Sequence, residues 1–134
     1  MYMLSAFVDI RVRYQETDQM GVVYHANYFT WFESARIELL DQLGWPYREM
    51  EEAGYLLPVL GCEASFIKPA QFDDRLQVRA FIRKHISARI EISYEVNRLE
   101  TLLALGKTTH AFVDKKGKLI RPPKTFVDLV NTKD

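Results

Sequence analysis

The chain has 134 residues, 48% of them hydrophobic and 27% charged, with Lys+Arg and Asp+Glu equal at 18 each. That length supports one domain around one hydrophobic core, residues 1–134 as a single unit, and the composition excludes a disordered or fibrous chain. The even charge balance removes any overall pull toward nucleic acid or an anionic membrane.

The opening "MYMLSAFVDIRVRY" has no basic region ahead of an apolar stretch. No apolar run approaches the ~20 residues that span a bilayer. A cytoplasmic protein without a membrane span is therefore expected. Residues 6–15 alternate, with Ile10, Val12 and Tyr14 on one parity and Arg11 and Arg13 between them, which predicts a strand with one buried face. Gly21 breaks the chain, and from Ala26 the period changes. Tyr28, Phe32, Ala35, Leu39 and Leu43 recur at helical spacing, widened by Phe29, Trp31, Ile37 and Leu40, until Gly44 and Pro46 stop the helix. Apolar around most of its first half, this helix is expected to be buried. Residues 46–54 predict a short second helix, with Pro46 near its first turn and Gly54 after its end.

The remainder reads as β structure. Residues 55–67 form a strand ending at Lys68-Pro69. Leu76, Val78, Ala80 and Ile82 alternate in a second, and Ala88, Ile90, Ile92, Tyr94 and Val96 in a third. Residues 102–113 form a long last strand, followed by a turn at Asp114–Gly117. The short links "KHIS" and "RLET" suggest consecutive antiparallel hairpins, and the tail "PPKTFVDLVN" one or two helical turns. Cys62, alone in the apolar context "PVLGCEASF", reads as a buried free thiol. The order is strand, long helix, then four strands in a meander. A helix apolar nearly all round needs a sheet to wrap it, so the expected fold is α+β: one curved five-stranded antiparallel sheet around one long central helix.

The chemistry concentrates in "ETDQMGVVYHANYFTWFESAR", residues 16–36. A helix start offers free backbone N–H groups and the positive end of the helix dipole, which together stabilise developing negative charge. The donors here are the N–H groups around His25 and Ala26. Gly21 permits a tight turn that brings Asp18 to the same spot, where a carboxylate can attack a carbonyl or activate a water. Without a serine–histidine pair, that suits an activated acyl donor such as a thioester. Glu16 competes as a second carboxylate, whereas Glu33 is expected to pair with Arg36 at i+3. The scattered histidines His25, His85 and His110 make a metal site improbable.

The stretch "VRYQETDQMGVVYHANYFTWFESAR", residues 12–36, resembles the opening motif of hotdog-fold acyl-CoA thioesterases of the 4-hydroxybenzoyl-CoA thioesterase class. It is most similar to the subgroup that includes the Tol–Pal-associated bacterial thioesterase. The matching positions are Tyr14, Glu16, Thr17, Asp18, Gly21, Val22, Val23, Tyr24, His25 and Tyr28. "FIKPAQFDDRLQV", residues 66–78, matches a second family segment more weakly. The resemblance implies a thioester hydrolase with Asp18 as nucleophile or general base and the backbone N–H at His25 polarising the thioester carbonyl. Tyr14 and the His25 side chain become candidate assistants, and Gly21, Val22, Tyr24 and Ala26 are expected to border the substrate. It also implies homodimers, often paired into tetramers, with coenzyme A across the boundary between copies. Coenzyme A is then part of the substrate, and no cofactor is expected. Lys68, Arg83, Lys84, His85 and Arg89, with Ser87 among them, are the candidate phosphate ligands. Two other classes remain as alternatives: a hotdog hydratase or dehydratase acting on acyl thioesters, whose matching motif is lacking here, and a non-catalytic acyl-CoA binding protein, against which the intact Asp18 and Gly21 argue. Thiol release from acyl-CoA separates both from a thioesterase.

Overall fold

The computed structural model describes residues 3–133. Five strands, β1 (Met3–Arg11), β2 (Val59–Phe66), β3 (Arg75–Arg83), β4 (Ile90–Arg98) and β5 (Thr101–His110), form one antiparallel sheet in the order β1-β3-β4-β5-β2. The helices are α1 (Ala26–Leu43), α2 (Tyr47–Glu52) and α3 (Lys124–Thr132). The architecture is the expected α+β hotdog arrangement, a five-stranded sheet packed on one long helix.

Strand order departs from a four-strand meander. Only β3, β4 and β5 are consecutive neighbours, whereas β2 pairs with β5 at one edge and β1 with β3 at the other. Two apolar strand faces fit several pairings equally well. The long α1 connection carries the chain from one edge of the sheet to the other. β1 also stops at Arg11, because β3 begins at the paired Arg75; beyond it Val12 N–H bonds the Asp74 carbonyl at 2.9 Å and the chain turns. Tyr14 therefore leaves the strand, enters a 3₁₀ turn over Tyr14–Glu16 and is exposed. The strand expected over 55–67 shortens to Val59–Phe66, with Leu56 making an isolated bridge to Val113. The tail forms a nine-residue helix.

α1 buries one face rather than its whole circumference. Tyr28, Trp31, Phe32, Ala35, Leu39, Leu40 and Leu43 are buried, while Glu33 and Ile37 are exposed. It ends where expected: Gly44 adopts φ 99° and Trp45 N–H returns to the Leu40 carbonyl at 3.2 Å, closing the last turn. The buried face meets alternating side chains of the sheet, Leu76, Val78, Ala80 and Ile82 from β3 and Ile90, Ile92, Tyr94 and Val96 from β4. Phe32 stacks on Tyr94 with ring centroids 4.4 Å apart. Its other neighbour is Gly106, where an added Cβ would overlap Phe32 Cε2 and Cζ. The helix seats only because that position carries no side chain.

Beneath this seat runs a buried polar chain. Arg36 Nη1 donates to Tyr94 Oη at 2.9 Å; it makes no ion pair with Glu33, which is exposed while Arg36 is half-buried against the sheet. Tyr94 Oη and Thr108 Oγ1 are 2.6 Å apart, Thr108 Oγ1 and His110 Nε2 2.8 Å, and His110 Nδ1 and the Pro58 carbonyl 3.1 Å. A carbonyl only accepts, so Nδ1 carries the proton, Thr108 donates to Nε2, and Tyr94 donates to Thr108. Burial pushes the His110 imidazole down to about 4; the Arg36 charge acts the same way, and the Leu57 and Pro58 carbonyls oppose.

Cys62 is exposed. It shares the inner face with Ala64, since its partner Thr108 points inward, but β2 is an edge strand and α1 packs mainly on β1 and β3.

Gly106→Ala is expected to destabilise the fold by about 1–3 kcal/mol, the usual cost of forcing extra volume into a packed core, as read by chemical denaturation. A variant as stable as the parent would contradict the seat. Acid should act through His110: the unfolded imidazole takes up a proton below its ordinary 6.5, whereas the folded one refuses it until about 4. This contribution is therefore complete above pH 6.5 and is lost as pH falls toward 4, by about 3 kcal/mol at ~1.4 kcal/mol per pH unit. Unfolding free energies from pH 7.5 to 4.5 should fall less steeply in His110→Gln, and parallel curves would refute the assignment.

Candidate active site

Between β1 and α1 the chain builds a compact loop. Thr17 and Val23 form an isolated antiparallel bridge. Inside it Asp18 N–H donates to the Val22 carbonyl and Gly21 N–H to the Asp18 carbonyl, each at 2.9 Å. Gly21 sits at φ 79°, a conformation side chains disfavour, which is why a glycine closes this turn. Asp18 Oδ1 accepts Met20 N–H at 2.9 Å, an Asx-turn that fixes one carboxylate oxygen and leaves Oδ2 without a partner among the described residues. Val23 N–H, bonded to the Ala70 carbonyl at 2.8 Å, ties the loop to the β2–β3 connection.

The loop delivers the chain to α1 at His25, whose φ and ψ are already helical at −56° and −32° and whose side chain caps nothing. The N–H groups of His25 and Ala26 find no acceptor among the described residues. They form an open helix start, with the positive end of the dipole behind it.

Asp18, Val22, His25 and Lys68 line one cleft of about 280 Å³. Its apolar walls include Tyr28, Phe66, Ile67 and Pro69. Phe66 lies edge-on to Tyr28 at 4.9 Å and to His25 at 6.4 Å, and Tyr24 packs on the other side of His25 at 4.4 Å. Burial raises the Tyr28 phenol above its ordinary value. Sequence reading placed no weight on Phe66 or Ile67 as cleft walls. Two large apolar residues just before Lys68-Pro69, both about half exposed, are the signal that would have marked them.

Other expected site residues lie apart. Tyr14 is 76% exposed and packs edge-on against Phe72 at 5.4 Å, outside the cleft. Gly21 and Ala26 shape the loop and the helix start rather than the walls. Arg83, Lys84, Ser87 and Arg89 do cluster, with His85, around a separate cavity of about 420 Å³ at the β3–β4 hairpin. Arg75 pairs with Arg11 beside the loop, and Arg83 is at the other end of β3, about 26 Å away at ~3.3 Å per residue. Within one copy of the chain, Lys68 is the only one of these candidate phosphate ligands at the Asp18 cleft.

Glu16 is not exposed to the cleft. It is 6% exposed, and Oε1 accepts Arg13 N–H at 2.7 Å while Oε2 accepts Trp31 Nε1–H at 3.0 Å. Among the described residues no group of His, Cys, Asp and Glu is arranged to hold a metal ion. No described helix is long and apolar enough to cross a membrane.

The model of the thioesterase-like superfamily matches residues 12–129. YneP of Bacillus subtilis (strain 168), which carries a provisional acyl-CoA thioesterase name, is 38% identical over 122 residues, 90% of this chain and 88% of that one. The acyl-CoA thioester hydrolase YbgC of Escherichia coli O6:H1 is 30% identical over 120 residues, covering 88% of this chain and 90% of the relative. A crystal structure of a DHNA-CoA thioesterase from Staphylococcus aureus superposes with a TM-score of 0.82 at 34% identity, covering 87% of this chain and 80% of that one.

Proposed function

The chain belongs to the thioesterase-like superfamily and is a thioester hydrolase; we propose that it cleaves acyl-CoA, with Asp18 as the reacting carboxylate. One observation carries this reading: Asp18, whose Oδ2 makes no hydrogen bond among the described residues, and His25, whose N–H finds no acceptor there, line the same cleft. The thioester carbonyl oxygen sits on the His25 N–H, and the negative charge it acquires is met by that donor and the helix dipole. Asp18 then acts in one of two ways. As a base, it takes a proton from a water whose oxygen attacks the carbonyl carbon; the tetrahedral intermediate collapses, the C–S bond breaks and coenzyme A leaves as the thiol. As a nucleophile, Oδ2 bonds the carbonyl carbon and expels the thiolate, and water hydrolyses the resulting anhydride.

The working unit in this reading is a homodimer or a pair of dimers. β2 has a partner on one side only, and Val59, Leu60 and Phe66 along it are 46%, 50% and 50% exposed. An open apolar edge of this kind is normally covered. A second copy joined there covers it and brings its own Arg83–Arg89 hairpin within range of a coenzyme A whose acyl end lies at Asp18. The opening motif also supports placement near the subgroup of the Tol–Pal-associated thioesterase, and a cytoplasmic location goes with a coenzyme A ester as substrate.

A panel of short, long and aromatic acyl-CoAs assayed for thiol release tests the activity. Asp18→Asn should lower kcat by at least ~10²-fold with KM little changed, the scale of a lost general base. His25→Ala keeps the N–H and should cost less, whereas His25→Pro deletes the donor at a position where helix geometry tolerates proline. An Asp18→Asn chain that turns over at the parent rate would end this mechanism. Light scattering at micromolar concentration should give the mass of two or four chains, falling in Leu60→Lys; a fully active monomer would contradict the shared site.

A further inference from the structure

Glu16 has the features of a reacting carboxylate in the sequence, yet its side chain points away from the cleft, and both its oxygens are taken. The groups they hold come from separate parts of the chain. Oε1 grips Arg13 N–H, two residues past the end of β1, and Oε2 grips Trp31 Nε1–H more than a turn inside α1. The backbone carbonyl of the same residue accepts Tyr24 N–H and Asn27 Nδ2–H, both at 2.9 Å, from the last residue but one before α1 and from its first turn. Four hydrogen bonds from one residue thus clamp the entry and exit of the loop to the helix. Asp18 is two residues further on, and His25 follows Tyr24 directly.

We propose that Glu16 and Asn27 are positioning residues: they set the distance between the Asp18 carboxylate and the N–H groups at the start of α1. This rests on the thioesterase reading of the cleft. Neither side chain lines the cleft, so neither is expected to touch substrate. Their effect passes through geometry, and a misplacement of about 1 Å between reacting groups costs up to ~10²-fold in rate. The clamp is also chemically exacting. Both side-chain partners of Glu16 are N–H donors, and a carboxylate has an acceptor for each. A glutamine has one acceptor and one NH₂, so it must turn donor against donor at either Arg13 or Trp31.

The test uses Glu16→Gln in the full chain, with hexanoyl-CoA and benzoyl-CoA as probes. The kcat should fall ~10- to 100-fold while KM stays within about threefold, because binding walls such as Val22 and Phe66 are untouched. Amide exchange at Asp18 and Gly21, whose N–H groups close the loop, should quicken while that of β3 and β4 stays at parent rates; a merely structural role would loosen the sheet as well. Adding Trp31→Phe removes one of the two donors, so the double variant should regain part of the kcat lost by Glu16→Gln. If Glu16→Gln does not fold, Asn27→Ala, which cuts one tie at a half-buried site, is read for the same kcat loss and local exchange. A folded variant with parent kcat and parent exchange at Asp18 and Gly21 would overturn the proposal. A parent chain inert on both esters and on the wider acyl-CoA panel would sink the thioesterase reading alone, and amide exchange would still decide whether Glu16 holds the loop.

Discussion

Phe32 reaches from α1 onto the bare backbone of Gly106 and stacks against Tyr94, and the rest of the molecule is arranged around that contact. A helix docked by one large ring has a defined height above the sheet and a defined rotation about its own axis. With Phe32 seated, Trp31 is turned inward within reach of Glu16, Tyr28 faces the cleft, and Arg36 meets the Tyr94 hydroxyl. The start of α1, under two turns before Phe32, is placed by the same contact. The buried chain from Arg36 to His110 carries the anchoring on to the Pro58 carbonyl ahead of β2, linking the central helix to the start of an edge strand.

An uncapped helix start is normally a weakness. Ser, Thr, Asp or Asn at that position contributes about 1 kcal/mol by satisfying an N–H of the first turn. Here His25 occupies it, makes no capping bond, and lines the cleft, and neither its own N–H nor that of Ala26 finds an acceptor among the described residues. The neighbouring loop groups are satisfied elsewhere, by Glu16, Ala70 and the Asx-turn of Asp18. The local structure therefore concentrates its unsatisfied donors at the start of α1, where the proposed oxyanion would form. The same loop holds one oxygen of Asp18 and leaves the other without a partner among the described residues, which suits a group that must react from a fixed position.

Much of this was legible in the residues because it is local. The 3.6-residue recurrence of Tyr28, Phe32, Ala35, Leu39 and Leu43 marks α1 to its last turn, and the alternation matches the buried positions from Leu76 to Ile82 in β3 and from Ile90 to Val96 in β4, although Ala88, expected in the same strand, precedes β4 and is exposed. The association of Asp18, Gly21 and His25 follows from turn chemistry beside a helix start. What escaped depends on distant partners. The place of β2 beyond β5 is set by how far α1 carries the chain, so Cys62 in an apolar sequence ends up uncovered. Arg36 turns from its i−3 neighbour Glu33 to a tyrosine 58 positions away. Tyr14 shares the parity of β1 but lies past the point where β3 can pair with it. Glu16 looks reactive beside Asp18, and only the approach of Trp31 shows that its carboxylate is already held.

The central claim is that a thioester carbonyl is held between Asp18 and the start of α1. It is tested most directly by a crystal structure of the chain with a ketone analogue of acyl-CoA, in which CH₂ replaces the thioester sulfur. The account predicts the ketone oxygen about 3 Å from the His25 nitrogen, in hydrogen-bond range of the backbone donor, with Asp18 Oδ2 facing the carbonyl carbon. An analogue seated with its carbonyl away from the helix start, or with a side chain in place of the His25 N–H, would contradict it.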